Sequence, residues 1–160
     1  DSRHALAPLR RLRGGGNNVP DNENPGFDEN PGDAATKQLE AYRGQGLALN
    51  ITTYNAAIIE NWRGDRSAKC LELYEDVLKE GLRPNKWTYN AVVGACARSG
   101  QAKEAVKILE DMQRSDIDPD ETTYNGLIGS HAKSGDWRSA LKYLHDMRAK
   151  NLVASGLTYN

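Results

Sequence analysis

A three-residue phrase sets the architecture of this chain. Thr-Tyr-Asn stands at Thr53-Tyr54-Asn55, Thr88-Tyr89-Asn90, Thr123-Tyr124-Asn125 and Thr158-Tyr159-Asn160, always 35 residues apart. Self-similarity at a fixed period of roughly 20 to 50 residues marks a repeat protein, whose units bury their apolar sides only against their neighbours. Three full units run over 51–85, 86–120 and 121–155. A degenerate half-unit over 33–50 precedes them, and 156–160 opens a fourth.

Each unit reads as two helices. The first opens on Thr53, Thr88 or Thr123, expected as N-caps because a hydroxyl can accept a free N–H of the first turn. It is expected to stop near Gly100 or Gly135. In the first unit Gly64-Asp65 replaces the later Ser-Gly, and Trp62 replaces Ala97 and Ala132, so that turn is expected to be rebuilt or shifted by one residue. The second helix carries an apolar stripe at i, i+3, i+4 and i+7: Cys70, Leu73, Tyr74 and Val77; Ala105, Ile108, Leu109 and Met112; Ala140, Tyr143, Leu144 and Met147. Gly81, Asp116 and Asn151, which tolerate the left-handed conformation, end these helices. Pro84 and Pro119 then close the first two units. The recurring Tyr54, Tyr89 and Tyr124 are expected in the core, as are Met112 and Met147.

Residues 1–32 read as a disordered tail, basic at first and then acidic and rich in Gly, Asn and Pro. Its Arg-rich start, with Arg3, Arg10, Arg11 and Arg13, suits a transit-peptide remnant as well as a plain basic tail. With no initial Met and a unit broken at Asn160, the chain reads as a segment of a longer one. A net charge of −1 argues against a generic basic nucleic-acid binder. No apolar run approaches the roughly 20 residues that cross a bilayer, so no membrane partner is expected. Cys70 and Cys96 are not in a C-x-x-C spacing and read as small buried residues. His131 and His145 fall on different helices, and Asp116, Asp118, Asp120 and Glu121 read as a solvated acidic edge. Neither a metal site, a cofactor nor a catalytic constellation is expected, and the chain is read as a binding module rather than an enzyme.

The 35-residue period, two helices per unit, the Thr-Tyr-Asn opening and the Pro-Asn or Pro-Asp close resemble the plain, constant-length subtype of the pentatricopeptide repeat family. The resemblance covers Ile51 to Ser155. It implies an all-α solenoid, a right-handed superhelix whose first helices line the concave face and bind single-stranded RNA at one base per unit, consistent with a code of two or three side chains per repeat. By the family's rule the base readers are the Asn of each Thr-Tyr-Asn and the last residue of the unit. These are Asn55 with Asn85, Asn90 with Asp120, and Asn125 with Ser155. Asn with Asn is expected to prefer C, Asn with Asp to prefer U, and Asn with Ser to be a weaker pyrimidine signal.

The residues before each Thr-Tyr-Asn, Thr52, Trp87, Thr122 and Leu157, are the family's base-sandwiching positions. Trp87 departs from the usual medium aliphatic; it can stack on a base or be too large for its slot. Arg63, Arg98 and Lys133 recur 35 apart near the ends of the first helices, as phosphate contacts or as cations complementing a helix C-terminus. The function implied is sequence-selective RNA binding in a chloroplast or mitochondrion, with other RNA-processing proteins as further partners. The alternative is a protein-interaction scaffold that uses the same groove for a peptide.

Overall fold

The computed structural model describes residues 30–153, which form seven α-helices and no strand. The tail before residue 30 lies outside the described residues, as do Ser155, Leu157 and the fourth Thr-Tyr-Asn. The first helices are α2 (Ile51–Arg63), α4 (Lys86–Ser99) and α6 (Glu121–Lys133). The second helices are α3 (Ser67–Lys79), α5 (Ala102–Arg114) and α7 (Trp137–Ala149), and α1 (Pro31–Gly44) takes the second-helix place of the half-unit.

Helix α1 begins two residues ahead of the expected start at Asp33. Asn30 is its N-cap, accepting from the Gly32 N–H at 2.9 Å, and Pro31 is its first residue. Proline suits that place because its missing N–H would have had no partner there. Asn30-Pro31-Gly32 therefore belongs to the fold and not to the tail.

The first helices pack side by side, α2 on α4 and α4 on α6. The backbones of α3, α5 and α7 pack on first helices and not on one another, although the Tyr74 hydroxyl bridges α3 to Asp111 Oδ2 of α5 at 3.1 Å. A stack with one close row and one splayed row curves with the close row inside. The first helices therefore line the inner face.

The core is the predicted stripe. Cys70, Leu73, Tyr74 and Val77 of α3 and Ala105, Ile108, Leu109 and Met112 of α5 are all buried. In α7 Ala140 and Met147 are buried, but Tyr143 and Leu144 are only half-buried, since no described helix covers the far side of α7. Tyr54, Tyr89 and Tyr124 are core rings, and each faces the residue that follows its own unit's second helix. Tyr54 donates to Glu80 at 2.8 Å, Tyr89 lies 3.0 Å from Ser115 Oγ, and the Lys150 ammonium sits 5.6 Å from the Tyr124 ring centre. Both thiols are fully buried, and burial pushes Cys70 up to about 11 and Cys96 up to about 12. They remain neutral packing groups at physiological pH.

Two expectations about the turns are corrected. Thr53, Thr88 and Thr123 are not N-caps; the first helices begin two residues earlier and are capped by Asn50, Asn85 and Asp120. The threonines stand at the third helical position. In α4 and α6 each closes a capping box, its hydroxyl accepting the N–H of the cap residue. Nor is the first unit's turn shifted. Asp65 takes the left-handed conformation (φ 59°) in the register of Gly100 (70°) and Gly135 (83°), which aspartate tolerates better than most side chains. The bulk of Trp62 is met on the next helix, where a β-carbon at Gly94 would stand 3.1 Å from its indole nitrogen. One unit on, the smaller Ala97 faces Gly129 at 3.4 Å.

Candidate functional site

The inner row repeats a polar constellation at each junction between units. In the first copy the Asn55 amide donates to Asn85 Oδ1 at 3.1 Å, and the Thr88 hydroxyl donates to Asn55 Oδ1 at 2.6 Å. Asn85 meanwhile caps α4, accepting from the Thr88 N–H at 3.1 Å. In the second copy Asn90 Nδ2 lies 3.3 Å from both oxygens of Asp120, and the Thr123 hydroxyl donates to Asn90 Oδ1 at 2.7 Å. Asp120 caps α6 by accepting from the Thr123 N–H at 3.1 Å.

A carboxylate can only accept, so the Asn90 nitrogen must face Asp120 and its oxygen must face Thr123. The cap in turn fixes the Asn85 oxygen toward Thr88 and Asn55. The Asn55 and Asn90 amides thus each use one N–H and one lone pair within the protein and keep one of each. Asn55, Asn85, Asn90, Asp120 and Asn125 are all half-buried, at equivalent registers. The last residue of a unit therefore both caps the next helix and orients the Asn of its own unit.

The Asp120 carboxylate is closely held. Burial alone would raise its pKa, but the Thr123 N–H, the Lys86 ammonium 3.3 Å away and the Asn90 amide outweigh that and hold it below the ordinary carboxylate range. It is ionised at neutral pH, as a pure acceptor must be. Far from a merely solvated edge, Asp120 is half-buried and joins the α6 cap to the Asn90 amide.

Thr52 and Thr122 are exposed, and Trp87 is 74% exposed on the second residue of α4. The cations lean the other way along the stack. Arg98 donates to the Trp62 carbonyl at 2.7 Å with its guanidinium 5.0 Å from that ring's centre, Lys133 donates to the Arg98 carbonyl, and Arg63 pairs with Glu60 at 2.9 Å. Asn90 thus reaches forward to the next unit while Arg98 reaches back to the last. Arg98 and Lys133 complete the last turn of the preceding first helix, and part of their donor capacity is committed there. His131 lies at the end of α6, with Nδ1 3.3 Å from Asp136, and no group of three His, Cys, Asp or Glu gathers to hold a metal among the described residues.

The threonine hydroxyls and Lys86 contact this constellation, which sequence reasoning missed. The signal for Thr88 and Thr123 was present in the recurring Thr-Tyr-Asn phrase, which keeps a threonine two residues ahead of each Asn. Lys86 had no such signal, because Ile51 and Glu121 occupy its register in the other units.

Models of the PPR repeat family, the PPR repeat and the pentatricopeptide repeat domain match residues 87–133, 122–152 and 39–99. The chain belongs to the pentatricopeptide repeat family. No curated protein sequence matches it. Among solved structures, PPR10 in complex with an 18-nt psaJ RNA element is 25% identical with a TM-score of 0.69, over 80% of this chain and 19% of that one. PPR10 from maize is 23% identical with a TM-score of 0.64, over 79% of this chain and 18% of that one. The PPR domain of Arabidopsis thaliana protein-only RNase P 1, in complex with tRNA, is 15% identical with a TM-score of 0.68, over 84% of this chain and 69% of that one. The chain spans about a fifth of the length of PPR10, and all three likenesses support the pentatricopeptide repeat solenoid.

Proposed function

We propose that the inner face binds single-stranded RNA, one base per unit, and reads a short pyrimidine stretch. Asn55 with Asn85 reads C, Asn90 with Asp120 reads U, and Asn125 with Ser155 reads a pyrimidine less strictly. Thr52, Trp87, Thr122 and Leu157 flank the bases, with the exposed Trp87 offering a stacking surface worth about 1 to 3 kcal/mol. Arg63, Arg98 and Lys133 supply the positive row for the phosphates with the donors that their intrahelical and inter-unit bonds leave over. The setting is RNA processing in a chloroplast or mitochondrion, with the chain acting as a binding module rather than as an enzyme.

The observation that carries this reading is the twice-built Asn, cap and Thr constellation, which leaves one donor and one acceptor at each step of a 35-residue repeat. Pyrimidines carry a matching edge, since O2 and O4 accept while the uracil imino or cytosine amino group donates. The RNA-bound PPR10 structure, 25% identical to this chain, supports the same ligand class.

Fluorescence-anisotropy titration of the chain against labelled oligo-U, oligo-C, oligo-A and oligo-G at two salt concentrations tests it. The expected result is pyrimidine-selective binding that weakens with salt. Equal or absent binding to all four by a helical protein would overturn the reading and return the groove to peptide docking.

A further inference from the structure

We propose that Lys86 is a specificity-determining residue of the second reading pair: it holds the Asp120 carboxylate in the orientation that presents it to Asn90 and the base, and shields it from the RNA phosphates. The inference rests on the RNA reading above. Its geometric basis is the 3.3 Å contact between Lys86 Nζ and Asp120 Oδ2, which joins the first and last residues of one unit.

Fold stability does not account for this lysine. As the first residue of α4 it puts a cation at the positive end of a helix, the unfavourable sign. Glu121, in the same register of α6, has the favourable sign. The ion pair is also open to water, with the two side chains 49% and 33% exposed, and such pairs contribute little to stability. A residue that breaks a local rule without a folding gain points to the site it serves.

The match between units points the same way. Where the unit ends in neutral Asn85, its first residue is the apolar Ile51; where it ends in charged Asp120, its first residue is Lys86. A bare carboxylate facing a polyanion would repel it, whereas an amide would not. With Oδ2 engaged by Lys86, the carboxylate remains a fixed acceptor for the uracil imino N–H.

The test compares the wild-type chain, Lys86→Met and Lys86→Arg against RNAs with C-U-U or C-C-U cores in identical flanks. The expected result is that Lys86→Met lowers the U-over-C ratio at the middle base severalfold, with an unchanged melting temperature. Lys86→Arg restores the ratio. A wild-type ratio in Lys86→Met would overturn the inference while leaving the RNA reading intact. No ratio in the wild type would sink the RNA reading, and this inference with it.

Discussion

Replacing Gly126 by leucine is expected to destabilise the solenoid by about 3 kcal/mol or more, the upper range for overpacking a close-packed interior. A β-carbon at Gly126 would fall 2.4 Å from Val93 Cγ1 and 3.3 Å from the Val93 carbonyl carbon and oxygen. Val93 is itself fully buried in α4, so neither its side chain nor its backbone has room to withdraw. The clash would force α4 and α6 apart at the contact that sets the spacing of the inner row. Thermal denaturation followed by circular dichroism should show a fall of roughly 10 °C or more. Gly44 is the contrast: nothing stands within 4 Å of its β-position. Gly44→Ala should stabilise by about 0.5 to 1 kcal/mol through helix propensity alone. Equal effects at the two glycines would contradict the packing assigned to α4 and α6.

The second large effect concerns binding. The Asn90→Ala, Asp120→Ala double variant should lower affinity for a C-U-U core at least tenfold, which corresponds to about 1.4 kcal/mol. The substitutions remove the reading amide together with the acceptor that orients it. Asp120→Ala also removes the α6 N-cap, a loss of about 1 kcal/mol in stability. Asn50→Ala is the matched control, since it strips the α2 cap without touching either complete pair. Tight binding by the control and weak binding by the double variant, both helical at the titration temperature, is the expected pattern. Parallel losses would assign the effect to capping.

The fold was legible because a repeat states its architecture several times. One apolar stripe at i, i+3, i+4 and i+7 is an ordinary helix; three at a spacing of 35 residues define stacked hairpins. The left-handed row of Gly81, Asp116 and Asn151 was legible for the same reason. What misled was local chemistry with two good answers. Thr88 and Asn85 are both capable N-caps, and choosing between them depends on where the helix starts, which the apolar pattern leaves open by a few residues. The structure uses both, the Asn as cap and the Thr as its return bond. Lys86 was invisible because its partner stands 34 residues away and its register holds a different residue type in each unit. Arg98 and Lys133 were read as phosphate contacts or helix-end cations from their 35-residue recurrence, which carries no information about the preceding helix whose carbonyls they reach.

The central claim is that the pair formed by the unit's Asn and its last residue sets the base. Asn85→Asp tests it most directly, because aspartate caps a helix as well as asparagine does and leaves the capping box with Thr88 in place. The substitution converts an Asn with Asn pair into an Asn with Asp pair at little expected cost to folding. Binding to C-U-U and U-U-U cores, measured side by side for the wild type and the variant, should show the first-base preference move from C toward U. The shift should fall short of the selectivity of the Asn90 and Asp120 pair, because Ile51 gives the new carboxylate no ammonium partner. An unchanged C preference in a variant of wild-type stability would contradict the account.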